Sequence, residues 1–367
     1  MISTNNTILS SLNKDELLSL FREINNMSLK YRDFLNLPDY VTFGNEIEVN
    51  NIPLHISLFL VELFNDVAQL EGKDRYAIHQ EETASTEVVT SILTNTATNW
   101  ENFHEMYLRL YDTGATIGGN TSSHVHIGAH PINTPEKLSL LLKTLVVFEP
   151  IIFKFGYGNY SNPRLYLRAN ENRVIFSPMM TPQRVCRFTD TLDRFDYNNF
   201  DKMRKAFYEF IAPELKFRPV FNFRDFNFDK FQDGNDEVGL PSEDDHFEVR
   251  CFNGTLFPAI SQNNINLITK ILVAVVEGKI DKEYILEEYK KYKKKKYNFD
   301  RFCCILHSEK ERIQYNRLLD GFNKVKLEKA LKLADMIFDN DLDKCYFLKQ
   351  YLKLFKASDE YVHSLIK

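Results

Sequence analysis

A short alternating stretch, Val41–Val49, constrains the fold more than any other part of the chain. In a β-strand, successive side chains point to opposite faces, so Phe43 and Ile47 would face a core while Glu46 and Glu48 stand together on the other face. Two carboxylates roughly 6–7 Å apart on one strand repel each other unless a positive group lies between them. The stretch therefore predicts a half-buried strand whose polar face is either simply solvated or holds a cation.

The same spacing of polar residues recurs twice further along the chain. His124 and His126 flank Val125, and Glu248 and Arg250 flank Val249. Each pair would share one strand face while the apolar neighbours face the core. Three strands of this kind predict a single sheet with one solvent-facing functional face. We expect Glu46, Glu48, His124, Glu248 and Arg250 to converge in one pocket.

The bulk composition excludes several classes of protein. The net charge of −5 over 367 residues gives no basic signature for nucleic-acid binding. The five cysteines form no C-x-x-C pair, so neither a disulfide framework nor a thiolate zinc site is indicated, and a cytoplasmic location is favoured. No apolar run approaches the roughly 20 residues that span a bilayer. We expect a soluble protein without a membrane partner.

The periodicity along the chain divides it into three parts. A helix start with Asn13 as N-cap predicts an N-terminal helical segment over residues 1–40. Residues 41–260 carry the strands, including two short ones within 76–90, and a strong helix start at Thr134-Pro135-Glu136. From about Pro258 onward the pattern is helical, which predicts a C-terminal helical region over residues 261–367.

Other charged residues are candidates to join the polar face. Glu81, Glu82 and Glu87 lie in or beside the turn between the two short strands. Arg164 and Arg168 belong to an arginine-dense stretch that could clamp phosphate or form ordinary surface. The basic run Lys290–Lys296 is either a solvated helix end or a surface for an acidic partner or nucleic acid.

Carboxylates and imidazoles on one sheet face suit Mg²⁺ or Mn²⁺, because hard oxygen ligands favour these ions. An arginine two residues from a metal-binding glutamate has a natural partner in a phosphate group. The chain has no G-x-x-x-x-G-K-[ST], G-x-G-x-x-G or G-x-S-x-G motif. A bound nucleotide would therefore be held by metals and sheet side chains.

Four short pieces in this order resemble the amidoligase family, whose catalytic domain is similar to those of glutamine synthetases and glutamate–cysteine ligases. They are G-x-E-x-E at Gly44–Val49, a glutamate before Val-Val-Thr at Ser85–Leu93, H-V-H-I-G at Ser123–Gly128, and E-V-R-C-F-N-G-T-L at Phe247–Leu256. The resemblance spans residues 41–260 and is carried most strongly by the last piece.

The resemblance implies an α+β fold with a curved antiparallel sheet of glutamine-synthetase-like type, flanking helices and a C-terminal helical region. It also implies a ligase that uses ATP and Mg²⁺ to convert a carboxylate to an acyl phosphate, which an amine then attacks. The acid and amine substrates, small molecules or peptides, stay open. The metal ligands that the resemblance implies are Glu48 and Glu87 for one ion and Glu46, His124 and Glu248 for another. It also implies nucleotide contacts from His126, Arg250, Arg164 and Arg168, with Arg250 on a phosphate. The catalytic residues would be Glu248, Arg250 and Glu87.

The chain departs from the family pattern at two places. An Asp-x-Ser element is replaced by the Glu81–Ser85 region, so either Glu81 or Glu82 could complete the metal site, and Ser122-Ser123 stands where a glycine usually precedes H-x-H. Two other functions remain as alternatives, namely a guanidino-kinase-like phosphotransferase and a non-catalytic binding or structural protein on a degenerate ligase scaffold. The sequence leaves the oligomeric state open.

Overall fold

The computed structural model describes residues 6–80, 84–157, 182–212, 220–294 and 327–366. Over these residues the chain is mixed α+β, with seven strands in one antiparallel sheet and eleven α-helices. The strands are β1 (Thr42–Val49), β2 (Ala77–His79), β3 (Thr86–Val89), β4 (Leu93–Thr94), β5 (Ser122–Gly128), β6 (Phe221–Asn222) and β7 (His246–Asn253).

The sheet runs in the order β2-β3-β1-β5-β7-β6, and β4 pairs with one end of β1. The alternating stretch is thus the central strand β1, which lies between β3 and β5. Strand β5 carries His124 and His126, and its other neighbour, β7, carries Glu248 and Arg250. The predicted alternation, the two short strands within 76–90 and the gathering of all three polar pairs in one sheet are confirmed.

The helices enclose the apolar side of this sheet and extend the protein beyond it. They are α1 (Lys14–Asn26), α2 (Leu54–Val67), α3 (Ala97–Asp112), α4 (Pro135–Tyr157), α5 (Pro182–Leu192), α6 (Phe200–Ile211), α7 (Pro258–Val276), α8 (Lys282–Lys294), α9 (Leu327–Ile337), α10 (Asp341–Tyr351) and α11 (Asp359–Ser364). The predicted helix starts are confirmed: Asn13 caps α1 in a full capping box, and Pro135 is the first residue of α4.

The core lies between the sheet and helices α4 and α7. Helix α4 packs on β7, and α7 packs on β5 and on α4. Phe43, Ile47, Val125 and Val249 are fully buried on the sheet face that these helices cover. Burial of these apolar side chains is the main stabilising contribution, at about 1.5–3 kcal/mol for each large side chain.

One polar residue of β1, Asn45, also faces this core. Its side chain donates to Tyr107 Oη (3.2 Å) and accepts from Ser123 Oγ (3.0 Å), and Tyr107 in turn contacts Ser261 Oγ at 2.5 Å. A buried amide is tolerated where its donors and acceptors find partners. The network therefore links the central strand to helices α3 and α7 and fixes their relative positions.

A buried carboxylate on α10 connects the segment before β1 to the C-terminal helices. Asp343 accepts hydrogen bonds from Arg32 Nη1 (2.7 Å) and from Asn266 Nδ2 of α7 (2.8 Å). Helix α10 also packs against α1, α4 and α7. Contacts thus cross the predicted boundaries at residues 40 and 260, while the division into three parts stays a prediction.

Among the described helices, only α7 is long and apolar enough to cross a membrane, and 83% of its most apolar 18-residue window is buried inside the protein. A buried core helix of a soluble protein has this same character. The packing of α7 between β5 and α4 accounts for its apolar composition.

Candidate metal centre

The pairing of strands decides which polar side chains become neighbours. Directly paired residues of antiparallel strands share a sheet face. Glu46 pairs with His124, Glu48 pairs with Glu87, and His126 pairs with Glu248. The predicted convergence is therefore observed: β1, β3, β5 and β7 all contribute to one cluster. The roles assigned to these residues stay predictions.

A β-bulge shapes the end of this cluster. Between Ser123 and Val125 of β5 the register with β7 shifts by one residue, so that β7 carries one extra residue opposite His124. Cys251 and Phe252 are consecutive yet both fully buried. Bulges of this kind re-aim side chains and are frequent beside functional sites.

Glu46, His124 and Glu248 form the first of two groups that could hold a metal ion. One potential ligand atom from each lies within 4.8 Å of the other two. His124 Nδ1 lies 3.3 Å from Glu248 Oε1 and directly contacts Glu46 Oε2. Glu46 also accepts a hydrogen bond from His126 Nε2 at 2.9 Å.

Glu48, Glu87 and His124 form the second group, again with ligand atoms within 4.8 Å of one another. The opposite ring nitrogen, His124 Nε2, lies 3.6 Å from Glu48 Oε1 and 3.1 Å from Ser122 Oγ. A neutral imidazole has only one lone-pair nitrogen, so His124 can ligate in only one of the two groups at a time. Since Nδ1 now donates to Glu46, metal binding through Nδ1 requires that proton to leave.

Two further side chains hold Glu248 in place. Arg250 Nη1 contacts Glu248 Oε1, and Asn222 Nδ2 donates to Glu248 Oε2 at 2.8 Å. The sequence pattern did not single out Asn222, which stands on β6 opposite Glu248. A signal was present, because Asn222 is the one polar residue of the Phe-Asn-Phe alternation and so had to face the polar side.

The charges of the cluster stabilise one another strongly. Burial disfavours ionisation of Glu46, but hydrogen bonds from His124 and His126 outweigh it and hold the pKa of this carboxyl well below its ordinary range. Burial likewise opposes ionisation of Glu248, whose pKa is nonetheless lowered, chiefly by the charges of Arg250 and His124. Burial favours neutral His126, yet its bond to Glu46 raises the pKa of the imidazole.

The prediction of a solvent-facing polar face is wrong for the centre of the cluster. The side chains of Glu48, His124 and Glu248 are at most 5% exposed, and only Glu46, His126 and Arg250 at its margin are partly accessible. The charged groups of four adjacent strands pack against one another and exclude water. A single strand pattern cannot show this enclosure.

A cavity of about 360 Å³ opens at the His126 end of the cluster. His126 and His246 both line it, with their ring centroids 5.0 Å apart. Gly44, Lys73, Arg75 and Glu243 also line it. The cavity thus combines backbone, imidazole rings and charged side chains of both signs next to the first metal-binding group.

Some predicted residues cannot be placed. Glu81, Glu82, Arg164 and Arg168 lie outside the described residues, so their part in the site stays a prediction. The run Lys290–Lys296 is described only to Lys294, where α8 ends. Lys293 of this run forms a surface ion pair with Asp190 of α5 at 2.5 Å.

The donor set fits a hard divalent cation. Each group offers two carboxylates and one imidazole, and buried carboxylates at this spacing need a compensating positive charge. Among the described residues, the cysteines are not part of either group. The cluster could therefore hold a divalent cation, and its identity as Mg²⁺ or Mn²⁺ stays a prediction. No protein-family model matches the chain, and no curated protein is significantly similar to it.

Proposed function

We propose that this protein is an ATP- and Mg²⁺-dependent carboxylate–amine ligase of the amidoligase type. It would form an amide or peptide-type bond through an acyl phosphate, on a sheet of the curved, glutamine-synthetase-like kind. The cytoplasm, where ATP and Mg²⁺ are supplied together, is the location that belongs to this proposal.

One observation carries the proposal: two potential metal-binding groups lie side by side and share His124. Two adjacent divalent cations suit phosphoryl transfer, because they can stabilise the attacking and the leaving oxygens together. The pairing is made by strands β1, β3, β5 and β7, whose sequences carry the pieces that resemble the amidoligase family.

Each group has a distinct part in this proposal. Glu46, His124 and Glu248 would hold the ion between the ATP phosphates, and Glu48 and Glu87 would hold a second ion beside the acid substrate. Bound Mg²⁺ supplies neutralising charge for the phosphates. Arg250 would donate hydrogen bonds to the transferring phosphoryl group, because the planar guanidinium group of arginine can donate two parallel hydrogen bonds to phosphate oxygens.

The surroundings of the cluster support the same chemistry. The cavity next to His126 has the size and lining for a nucleoside, since ligand pockets are typically about 300–1,000 Å³ with a few convergent polar groups. The low exposure of Glu48 and Glu248 favours an enclosed reaction space, in which an acyl phosphate is protected from hydrolysis.

ADP release from Mg²⁺-ATP tests the proposal. The protein is supplied with pools of amino acids, peptides and amines, separately and together. We expect release that requires both an acid and an amine and is lost in Glu248→Gln, whereas Glu101→Gln on the exposed face of α3 retains it.

Release with a guanidino compound alone would establish a phosphotransferase instead. Absence of both ADP release and ATP binding would establish a non-catalytic protein.

A further inference from the structure

The second metal-binding group, Glu48 and Glu87 with His124, is one ligand short when both proposed ions are bound. In that two-ion site, His124 ligates the first ion through Nδ1. The proton of the neutral imidazole then sits on Nε2, which lies 3.1 Å from Ser122 Oγ and can donate to it. His124 therefore has no lone pair left for the second ion, which keeps only two carboxylates.

Strand β2 brings another imidazole next to these two carboxylates. His79 of β2 pairs directly with Glu87 of β3, and Glu87 pairs with Glu48 of β1. Directly paired residues share a sheet face, and their Cβ atoms lie about 4.5–5.5 Å apart. The three side chains therefore stand in one row across three neighbouring strands, in the order His79, Glu87 and Glu48.

The neighbours of His79 on β2 show which side of the sheet it faces. Ile78 packs against the hydrophobic core. Ala77, two residues before His79, lines the cavity beside His126. Because alternate residues of a strand share a face, His79 lies on the cavity side of the sheet, which is also the side of the metal-binding groups.

The side chain of His79 can turn toward a cation. It is exposed, whereas Glu48 and Glu87 are buried. Within the part of the chain that the structure describes, His79 forms no hydrogen bond or ion pair. It is not yet part of either metal-binding group, so ligation requires a change of its rotamer. Exposed side chains change rotamer within nanoseconds, and here no described hydrogen bond has to break.

An imidazole in this row changes which cation the second group prefers. Mg²⁺ is bound in proteins mainly by oxygen ligands, whereas imidazole nitrogen is a normal ligand of divalent transition metals. Three protein ligands also leave coordination positions of the ion open for water or a substrate oxygen. The row therefore has the ligand set of a transition-metal site that is open on its solvent side.

We propose that His79 is the third protein ligand of the second ion, together with Glu48 and Glu87, and that this site prefers a transition-metal ion such as Mn²⁺ to Mg²⁺. The proposal rests on the two-ion site of the proposed ligase, to which it adds one ligand and a metal preference. His79 takes the role for which the sequence offered Glu81 or Glu82. The acid substrate reaches the ion from the exposed end of the row, beside His79.

Mn²⁺ binding in the absence of nucleotide tests the proposal without relying on turnover. The electron paramagnetic resonance signal of free Mn²⁺ gives the number of bound ions and their affinities. We expect two ions per chain in the wild-type protein. His79→Ala and His79→Gln should each raise the dissociation constant of one ion by about tenfold or more, since even a residue that only supports a ligand contributes that much. His363→Ala is the matched control, because His363 is exposed on α11 and contacts Arg22 of α1.

Two further readouts separate a metal ligand from a structural residue. Pulsed electron paramagnetic resonance should detect nitrogen coupling at both ions of the wild-type protein and at only one ion of His79→Ala saturated with Mn²⁺. Excess Mg²⁺ should displace the second Mn²⁺ from His79→Ala at a lower concentration than from the wild-type protein, because the variant site has only oxygen ligands.

Three outcomes would overturn the proposal, and they differ in what they leave standing. If both His79 variants bind two Mn²⁺ ions as tightly as the wild-type protein, His79 is not a ligand and the proposed ligase is unaffected. If only Glu81→Gln or Glu82→Gln weakens the second ion, that glutamate supplies the third ligand. If the wild-type protein binds fewer than two ions, the second site itself is absent, and the two-ion basis of the ligase proposal is lost with it.

Discussion

Glu248→Gln distinguishes a metal-binding role of the Glu248 carboxylate from a purely structural role. Glutamine has nearly the same shape as glutamate, and its amide oxygen can still accept the hydrogen bond that Asn222 now donates to Oε2 at 2.8 Å. The substitution therefore removes one negative charge with little change in packing. Measurements of stability and of metal affinity then show whether that charge stabilises the fold or binds a metal ion.

Arg250 and His124 attract the charge of Glu248 and Glu46 repels it, and the lowered pKa of Glu248 follows from the attraction being the larger. At an effective dielectric constant of about 20, opposite charges about 4 Å apart attract by about 4 kcal/mol, which represents the pair with Arg250. Ligand atoms of Glu46 and Glu248 lie within 4.8 Å of each other. On the same scale, like charges about 5 Å apart repel by about 3 kcal/mol. Because the attraction is the larger and Arg250 is partly exposed, we expect Glu248→Gln to lower the free energy of unfolding by about 2 kcal/mol, less than the about 3–5 kcal/mol that follows loss of one partner of a fully buried pair.

Metal binding should respond far more strongly than stability. Replacing even a residue that only supports a metal ligand typically weakens affinity by about 10- to 100-fold, so loss of a ligand should weaken Mg²⁺ or Mn²⁺ binding by at least about tenfold. Calorimetric titration with Mn²⁺ measures the affinity, and urea unfolding in chelator measures the stability. Glu101→Gln, the same chemical change on an exposed helix face, should leave both unchanged.

Two results would refute this reasoning. If Glu248→Gln binds Mn²⁺ as tightly as the wild-type protein, Glu248 is not a ligand. If the variant loses several kcal/mol of stability in the absence of metal, the carboxylate serves chiefly as a buried structural partner of Arg250.

Other substitutions test packing and metal dependence without relying on turnover. Asp343→Ala should lower the free energy of unfolding by about 3 kcal/mol in urea titrations, because it leaves Arg32 without its buried carboxylate. Gly156→Ala should cost about 1–3 kcal/mol by the same measurement. The added Cβ would lie 1.9 Å from the carbonyl oxygen of Cys251, so α4 and β7 must move apart. Mg²⁺ at 100 times its dissociation constant should stabilise the wild-type protein by about 2.7 kcal/mol, and His124→Ala should lose most of that gain in thermal unfolding.

Each of these predictions can fail in its own way. Unchanged stability of Asp343→Ala would mean that Arg32 finds another partner. Gly44→Ala is the control for Gly156→Ala, because a Cβ at Gly44 meets neighbours only at 3.5 Å or more. Equal stabilisation of wild type and His124→Ala by Mg²⁺ would place the stabilising ion outside the cluster.

Local sequence patterns predicted the main strands, their polar faces and the starts of two helices. The alternation of Phe43, Glu46 and Ile47 predicted a strand and its buried face, since side-chain direction in a strand has a strict period of two. The same rule placed the H-x-H and E-x-R pairs on polar faces. Asn13 and Pro135 predicted the starts of α1 and α4 because capping depends on only a few consecutive residues.

The assembly of the site depended on long-range pairing. Glu46 and His124 are 78 positions apart, and only the register between β1 and β5 makes them partners. That register is set by backbone hydrogen bonds and by burial of one whole face of each strand, neither of which is encoded in a single segment. Pairing of β6 with β7 likewise brought Asn222 beside Glu248, although Asn222 was not among the residues predicted for the site.

By itself, the sequence determined most of the strands, β4 excepted, and which strand faces carry polar side chains. The tertiary structure alone decided that His124 stands between two carboxylate groups, that the centre of the cluster is enclosed, and that Phe59 and Val67 of α2 are exposed. The physical reason is the range of the forces: periodicity and capping act over a few residues, whereas burial and strand pairing depend on parts of the chain that meet only after folding.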